Sequence, residues 1–431
     1  MHDFKFRKGE LYCEKVSVRE VARKVGTPFY LYSHKTLSDH FLKLKRAFAS
    51  VDPLICFSMK SNGNLSVIKT LLNLGSGIDI VSMGELQKAL KAGADPRKIV
   101  FASVGKTDQE IAFAIRKNIL FFNVESVPEL ENINRVARKM KRKVQVALRI
   151  NPDVDAATHQ AITTGTLSKK FGIDLKNARR VLKSQARFSH VRMNGLHIHI
   201  GSQITSQKPF IQAMKRITRF LTDLRTAGVC LEYLNIGGGL GIIYKDEKPQ
   251  NADQFAHAVL PYLKKSGLKI IMEPGRFITG NAGIFVTKML YFKDNGFKKF
   301  FIVDGGMNDL IRPSLYHAYQ EIVPVVKRRA RTVKVDVVGP ICESGDFLGK
   351  DRRLPMLKKN DLLAVMSAGA YGYTMSSNYN MRCRVPEVMV KGNQFSIVKR
   401  RETFKDLAQG ETIPSFLINE AMTYGVKRHK S

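Results

Sequence analysis

The chain has 431 residues, of which 44% are hydrophobic and 25% charged, and 71 Lys and Arg against 37 Asp and Glu give a net charge of +34. This length exceeds that of one ordinary hydrophobic core, so we expect two domains. The sequence contains no apolar run of about 18 residues or more, and the N-terminus MHDFKFRKGELY has no apolar h-region, which argues against a membrane span and a secretory signal and favours the cytosol.

The strong positive charge could attract nucleic acid, an anionic membrane face or an acidic small substrate. The densest basic clusters, at 138–143 and 326–334, are short, and no zinc-finger, RRM or KH pattern accompanies them. We therefore interpret the charge as a generally basic, solvated surface. A nucleic-acid or membrane partner is not expected, and a polyanion-binding role is kept as the alternative.

The cysteine pattern argues against a disulfide framework and against a structural zinc site. The chain has five cysteines, an odd number, and they are scattered without any C-x-x-C pair: Cys13, Cys56, Cys230, Cys342 and Cys383. We expect free thiols in a reducing compartment and no bound metal.

From about residue 29 to 276 the sequence repeats one rhythm, a short β-branched or aromatic run followed by a turn and a helical stretch. The predicted strands lie at 55–60, 77–82, 99–103, 119–124, 144–150, 194–201, 233–238 and 269–274. Predicted helices between them include 65–75, 83–93, 107–118 and 212–228. Eight such units predict a (β/α)₈ TIM-type barrel, with a doubly wound sheet as the structural alternative.

After residue 280 the rhythm changes to strands with little helix between them. They are predicted at 284–292, 298–306, 321–326, 333–339, 362–372, 387–392 and 395–401. This pattern is typical of a mainly antiparallel β-domain, which the short alternating segment at the N-terminus joins. The predicted organisation is a barrel over 26–280 and a β-domain made of 1–25 plus 281–420.

Chemically conspicuous residues follow the predicted barrel strands, and in this fold the chemistry lies at the C-terminal ends of the strands. They are Lys60 after the first strand, Asp79 in the second, His197 and His199 in the sixth, Gly237 to Gly239 in the seventh, and Glu273 and Arg276 at the eighth. Each has an ordinary structural explanation, such as a solvated lysine, a core histidine, a glycine turn or a salt-bridged corner. Their convergence on one rim favours a shared function.

These residue types together suit pyridoxal 5′-phosphate (PLP). A lysine in a desolvated, cation-rich site loses its proton more readily and becomes a nucleophile. Consecutive glycines let backbone N–H groups approach a phosphate, an imidazole can lie against an aromatic ring, and a carboxylate keeps a pyridine nitrogen protonated. Zinc is the competing use of the His-x-His pair, but no third ligand stands at comparable spacing.

Longer motifs resemble the alanine-racemase-fold, or fold type III, PLP-dependent decarboxylases, and within them the diaminopimelate decarboxylase family. They occur in the family's order across roughly residues 25 to 385: FSMKSN, GLHIHIGSQI, NIGGGLGI, EPGR, RPSLYHAY, CESGDFLGKDR and GAYGYTMSSNYN. HIHIGSQ and CESGDF are the more specific of these. The chain departs from the family's pattern at Ser61, where alanine is common, and at Met83, where glycine is common.

The resemblance implies a role for each matched residue. Lys60 would carry PLP, with His199 on the ring and Glu273 at the pyridine nitrogen. The other cofactor contacts it implies are Asp79, Ser202, Gly237, Gly238, Gly239, Gly275, Arg276 and Tyr371. The distal carboxylate of the substrate would contact Arg276, Arg312 and Tyr316, and Glu343 would take the distal ammonium. Tyr371, near the phosphate, would also contact the substrate.

The activity implied by the resemblance is decarboxylation of meso-2,6-diaminopimelate to L-lysine and CO₂, the last step of lysine biosynthesis. Cys342 would supply the proton, together with Glu343, from the neighbouring subunit of a homodimer. The alternatives are a decarboxylase of lysine, ornithine, arginine or a carrier-bound amino acid, and a non-catalytic polyanion-binding homologue. The RPSLY and CES segments argue against the former, and the presence of both Lys60 and Cys342 argues against the latter.

Overall fold

The structure is a computed structural model that describes residues 2–155 and 170–418. Its N-terminal segment is a small three-stranded antiparallel sheet followed by a helix, a strand and a second helix. These elements are β1 (Phe4–Arg7), β2 (Glu10–Cys13), β3 (Val16–Ser17), α1 (Val18–Val25), β4 (Phe29–Ser33) and α2 (His34–Ala47).

A closed barrel of eight parallel strands forms the centre of the described chain, which confirms the predicted fold class. Its strands are β5 (Leu54–Ser58), β6 (Gly77–Ile80), β7 (Ile99–Phe101), β8 (Phe121–Val124), β9 (Val144–Asn151), then β11 (Val191–His197), β12 (Tyr233–Asn235) and β13 (Lys269–Met272), with a short β10 (Ile173–Asp174) paired beside β9. Pairing of β8 with β9 and of β13 with β5 closes the ring.

Helices cover the outside of this barrel, and most begin at a side chain that caps the first turn. They are α3 (Leu65–Leu72), α4 (Met83–Lys91), α5 (Asp108–Lys117), α6 (Val127–Lys139), α7 (Leu175–Lys183), α8 (Lys208–Thr226), α9 (Ala252–Ser266) and α10 (Arg276–Thr279). Thr107 and Glu110, for example, form a capping box that fixes the start of α5. Among the residues that the structure describes, no helix combines the length and apolar character needed to cross a lipid bilayer.

A nine-stranded mixed sheet follows the barrel. Its C-terminal elements are β14 (Gly283–Asp294), β15 (Lys299–Val303), α11 (Arg312–Tyr316), β16 (Ile322–Pro324), β17 (Thr332–Val338), β18 (Phe347–Pro355), β19 (Leu362–Val365), β20 (Glu387–Lys391), β21 (Gln394–Lys399) and α12 (Phe404–Leu407). Most pairs are antiparallel, but β15 with β17 and β20 with β4 are parallel.

Strand β4 belongs to this sheet, although it falls inside the predicted barrel range 26–280. It pairs with β14 on one side and β20 on the other. All five of its side chains are buried, and a strand buried on both faces has a continuous apolar sequence. FYLYS is therefore hard to distinguish from a barrel strand by sequence. The domain boundaries themselves remain a prediction.

The barrel interior has two layers, set by the alternation of side chains along each strand. The lower layer is apolar and contains Cys56, Val100, Phe121, Ala147 and Ile271. Nearer the C-terminal ends of the strands, buried polar side chains form an upper layer. Asn123 and Glu273 follow Phe121 and Ile271 by two residues, and Asp79, His197 and Asn235 belong to β6, β11 and β12. Apolar side chains thus fill the lower part of the barrel, and polar side chains lie at the C-terminal ends of its strands.

Candidate active site

Lys60 lies at the rim beside a buried carboxylate. Its Nζ donates to Asp79 Oδ2 at 2.9 Å, and Ser58 Oγ donates to the same oxygen at 2.6 Å. Burial lowers the pKa of Lys60, but the neighbouring groups, led by Asp79 and its hydrogen bond and including Glu273, together outweigh burial, so the pKa lies above the ordinary lysine value. The charged group in direct contact with this amine is therefore an anion, Asp79.

Glu273 is the most strongly held carboxylate of the upper layer. Its Oε1 accepts hydrogen bonds from Asn123 Nδ2 at 2.9 Å and Asn235 Nδ2 at 2.6 Å, and its Oε2 lies 3.1 Å from His197 Nε2. Burial alone would raise its pKa, but His197, these hydrogen bonds and Lys60 lower it well below the usual glutamate range. Glu273 is consequently an anion at neutral pH.

The two histidines of HIHIGSQ have different tasks. His197 ends β11 inside the barrel and pairs with Glu273, whereas His199 lies beyond the strand end, where its Nδ1 accepts from Gly238 N at 3.2 Å. Burial, with help from the charges of Arg149 and Lys60, lowers the pKa of His199 well below the ordinary histidine value. The His199 ring is thus neutral and beside Lys60 in one cavity.

The glycine turn after β12 is required by backbone packing. A Cβ on Gly237 would lie 2.4 Å from Ile198 O, and one on Gly238 would lie 2.2 Å from Glu273 O. Gly237 also has φ of +66°, a conformation that favours glycine. Its N–H donates to Asn235 Oδ1, so this turn also orients one of the two amides that hold Glu273.

Arg276 is the first residue of α10, and its guanidinium donates hydrogen bonds to two polar side chains. Its Nε and Nη2 donate to Ser202 Oγ at 3.3 and 3.1 Å, and its Nη1 donates to Tyr244 Oη at 2.6 Å. Its guanidinium also lies 5.0 Å from the centre of the Tyr371 ring. Burial lowers the pKa of Arg276, and the neighbouring tyrosines offset this, so the group stays charged.

Arg312 brings a second buried cation to the same place. Its side chain belongs to α11, is 6% exposed and lies over the rings of Tyr244 and Tyr316, at 5.3 and 5.8 Å. Its Nε has no hydrogen-bond partner within the described residues, and burial lowers its pKa. Two arginines thus flank Tyr244 at the edge of the Lys60 cavity, which Arg276 lines, and Arg312 has unsatisfied donor capacity, which suits an anion.

Cys342 and Glu343 stand apart from this cluster. Both are exposed on the turn before β18, and Cys342 N donates to Asn380 Oδ1 at 2.8 Å. The residues that line the Lys60 cavity do not include them. Buried Asp346 shapes the turn, since its carboxylate accepts from Met307 N and Ile341 N at 2.7 and 2.6 Å.

The remaining predicted site residues gather around Lys60. The cavity is lined by Ser202, Gly237, Gly238, Gly239, Glu273, Gly275, Arg276 and Tyr371 together with Lys60 and His199. Gly275 packs against Ser58 and Ser61, and the Ser61 hydroxyl donates to Ser58 O at 2.8 Å, which gives this unusual serine a structural partner. No group of three or more His, Cys, Asp or Glu side chains in the described ranges is arranged to hold a metal ion.

Sequence reasoning missed three members of the site: Asn123, Asn235 and Tyr244. The two asparagines carried a signal, because each lies two residues after an inward apolar side chain of the barrel, at Phe121 and Tyr233. Tyr244 carried none, since it follows the glycine turn in a segment with no regular period.

These side chains fit PLP on the evidence of two features. Glu273 is an ionised carboxylate that lines the cavity, as a protonated pyridine nitrogen requires, and Lys60 provides an amine in the same cavity. Asp79 Oδ1 is buried without a partner among the described groups, so Asp79 retains acceptor capacity there. The barrel, the β-domain and the lysine, carboxylate and arginine side chains at the barrel rim together place the chain in the class of PLP-dependent enzymes that combine a barrel with a β-domain.

Comparisons with known proteins identify the family within that class. The family described as "Pyridoxal-dependent decarboxylase, pyridoxal binding domain" matches residues 34–280. A diaminopimelate decarboxylase of Vibrio cholerae is 46% identical over 406 residues, covering 94% of this chain and 97% of the relative. The chain therefore belongs to the pyridoxal-dependent decarboxylase family, in the branch of the diaminopimelate decarboxylases.

Solved structures support the same placement. Diaminopimelate decarboxylase from Helicobacter pylori, complexed with L-lysine, has a TM-score of 0.88 and 40% identity, covering 91% of this chain and 98% of that one. The enzyme from M. jannaschii, also in complex with L-lysine, has a TM-score of 0.92 and 34% identity, covering 97% and 100%. Both share the barrel and β-domain described above.

Proposed function

We propose that this chain catalyses the PLP-dependent decarboxylation of meso-2,6-diaminopimelate to L-lysine and CO₂, the last step of lysine biosynthesis. The observation that carries the proposal is the pair of buried guanidiniums, Arg276 and Arg312, beside the cavity of Lys60 and Glu273. A carboxylate distant from the reacting carbon would satisfy them, and diaminopimelate has one. L-lysine bound to two related enzymes supports the same choice.

The residues around Lys60 divide the work of the reaction. PLP, when bound, accepts the electron pair left by the departing carboxylate. Glu273, held anionic by Asn123, Asn235 and His197, favours a protonated ring nitrogen and so strengthens that electron sink. Lys60 supplies the amine that holds the cofactor, and Asp79 holds that amine in place.

Discrimination follows from the arginines. A lysine, ornithine or arginine substrate bound through its α-amine has no second carboxylate and would leave Arg276 and Arg312 without an anion. Unpaired buried donors cost about 1–3 kcal/mol each, and more when they are charged, which is enough for strong discrimination. Arg312, 6% exposed and without a partner for its Nε in the described chain, contributes most to this effect.

We infer further that Cys342 supplies the proton to the substrate carbon and that Glu343 takes the distal ammonium, both in the partner subunit's site. The turn that carries them is exposed, and Tyr379 and Met381 beside it are 45% and 60% exposed. A partner subunit that packs on this turn would cover both side chains. In this proposal the β-domain completes the active site and the interface of a cytosolic homodimer, in keeping with free thiols on all five cysteines.

The decisive experiment is a substrate panel on the PLP-loaded enzyme. CO₂ release is measured with meso-diaminopimelate, lysine, ornithine and arginine at equal concentration. We expect turnover of diaminopimelate and at least a hundredfold lower kcat/KM for the others. Comparable turnover of another amino acid would overturn the substrate assignment, and full turnover by Lys60→Ala would overturn the mechanism.

A mixing experiment tests the shared site. Lys60→Ala and Cys342→Ala are purified separately, each nearly inactive, and then mixed under conditions in which differently tagged subunits exchange. Hybrid dimers with one intact site should recover up to about a quarter of the wild-type activity, as random pairing of subunits gives. Exchange without recovery would show that Cys342 serves its own subunit or no site.

A further inference from the structure

Tyr244 lies between the two arginines of the site, on the segment that follows the glycine turn. It is 7% exposed, its Oη accepts from Arg276 Nη1 at 2.6 Å, and its ring lies 5.8 Å from the Arg276 guanidinium and 5.3 Å from that of Arg312. A buried phenol that contacts both cations is more than a packing residue, because Arg276 loses one of its three observed side-chain hydrogen bonds without it.

The donor inventory of Arg276 shows what this contact leaves available. A guanidinium has five N–H donors, one on Nε and two on each Nη. Ser202 Oγ accepts from Nε and Nη2, and Tyr244 Oη accepts from Nη1. One N–H on each Nη nitrogen therefore remains for another acceptor. Two donors from one planar group match the two oxygens of a carboxylate.

Ser202 and Tyr244 thus hold the guanidinium from opposite ends and fix the plane in which its two remaining donors lie. We propose that Tyr244 is a positioning residue for the distal carboxylate of the substrate, and that it acts by holding Arg276 in the orientation that receives this carboxylate beside Arg312. The inference rests on the proposed function, since it presumes a substrate with a distal carboxylate.

The charges around Tyr244 add a second consequence. Arg276 faces it from α10, Arg312 from α11 and Glu247 from its own loop, and Tyr371 and Tyr316 lie beside Arg276 and Arg312 in turn. Burial raises the pKa of Tyr244, but the two arginines outweigh burial and lower it below the ordinary tyrosine value. Once ionised, the phenolate is itself the anion between the arginines, so it opposes a bound carboxylate.

The first test compares two ligands that differ only by the carboxylate in question. L-lysine bound through its ε-amine keeps that carboxylate, and cadaverine lacks it. Calorimetric dissociation constants of both are measured on PLP-loaded wild type, Tyr244→Phe and Tyr233→Phe. Tyr233 is a matched control, because it is a partly buried phenol on β12 at the opposite end of the barrel.

We expect Tyr244→Phe to weaken lysine binding about tenfold or more and to change cadaverine binding less than about twofold. Tyr233→Phe should leave both unchanged. An equal loss for both ligands, or no loss, would overturn the role of Tyr244. A wild-type enzyme that binds lysine no more tightly than cadaverine would instead refute the proposed substrate, so the two failures are distinguishable.

The second test uses pH and does not depend on catalysis. Glutarate keeps both carboxylates ionised between about pH 7 and 10, so its affinity reports on the protein alone. By linkage, wild-type affinity should fall as Tyr244 ionises, and glutarate should raise the pH at which a phenolate absorbance appears. Tyr244→Phe should abolish that phenolate signal. A fall in affinity that is equally large in Tyr244→Phe would contradict the role of Tyr244.

Discussion

A buried ion pair behind the active site gives a sharp stability prediction. Lys106 Nζ donates to Glu129 Oε1 at 2.6 Å, and also to the carbonyl oxygens of Ser103 and Asn123 at 2.9 and 2.8 Å. The Lys106 side chain is 0% exposed and that of Glu129 is 7% exposed. Burial lowers the pKa of Lys106 and raises that of Glu129, so each charge depends on its partner.

We predict that Glu129→Gln destabilises the protein by about 3–5 kcal/mol at pH 7, because the substitution leaves the Lys106 charge buried and unpaired. The loss should shrink as the pH rises. Without Glu129 the folded-state pKa of Lys106 falls further below its unfolded value, so the unfolded state binds more protons and stability rises with pH. The gain relative to wild type is at most about 1.4 kcal/mol per pH unit.

The assay is urea unfolding of the cofactor-free protein at about pH 7 and 9. Asp351→Asn is the matched control, because it breaks the Lys334–Asp351 pair at 3.1 Å, whose side chains are 66% and 60% exposed. That exposed pair should contribute no more than about 1 kcal/mol. A cost for Glu129→Gln as small as that of the control, or one that does not change with pH, would refute the reasoning.

Three further predictions concern the rim of the barrel. Gly238→Ala should cost about 2 kcal/mol or more in urea unfolding, because the new Cβ would lie 2.2 Å from Glu273 O, whereas Gly105→Ala, with nothing within 4 Å, should be neutral. Burial raises the folded-state pKa of Glu85 to about 7, so the stability that the protonated side chain contributes is lost as the pH rises from about 5 to 8. Glu85→Gln should therefore become more stable relative to wild type over that range in thermal unfolding. A difference in Tm between the two proteins that does not change with pH would contradict this. Arg312→Met should raise KM for diaminopimelate about a hundredfold while Tm stays near wild type, and an unchanged KM would place the distal carboxylate elsewhere.

Most of the scaffold could be predicted from the sequence, because period and length carry that information. Each predicted barrel strand overlaps an observed strand, and rim residues such as Lys60, Glu273 and Arg276 line one cavity. Strand ends were predicted less well. The strands predicted over 194–201 and 233–238 end at His197 and Asn235 in the structure. The prediction ran too far because the apolar pattern continues into the loops that form the site.

Other features left no usable pattern. Strand β18 (Phe347–Pro355) was missed because its middle reads GKDRR, which has neither alternation nor β-branched residues. The buried contact of Tyr244 with Arg276 depends on a loop that returns to the barrel rim, and such long-range placement has no local signal. The parallel pairing of β4 with β20 joins residues more than 350 positions apart and is invisible to a periodic reading.

Lys60 and Lys106 show why residue type and position alone do not define the reactive amine. Both follow a barrel strand and both donate to a carboxylate, Asp79 in one case and Glu129 in the other. They differ in exposure, since 36% of the Lys60 side chain is accessible and none of Lys106 is. Two backbone carbonyls further occupy the Lys106 amine, so it is a structural cation, and by contacting Asn123 it supports the amide that holds Glu273. Burial therefore decides which of two similar lysines could carry a cofactor and which one stabilises the barrel around it.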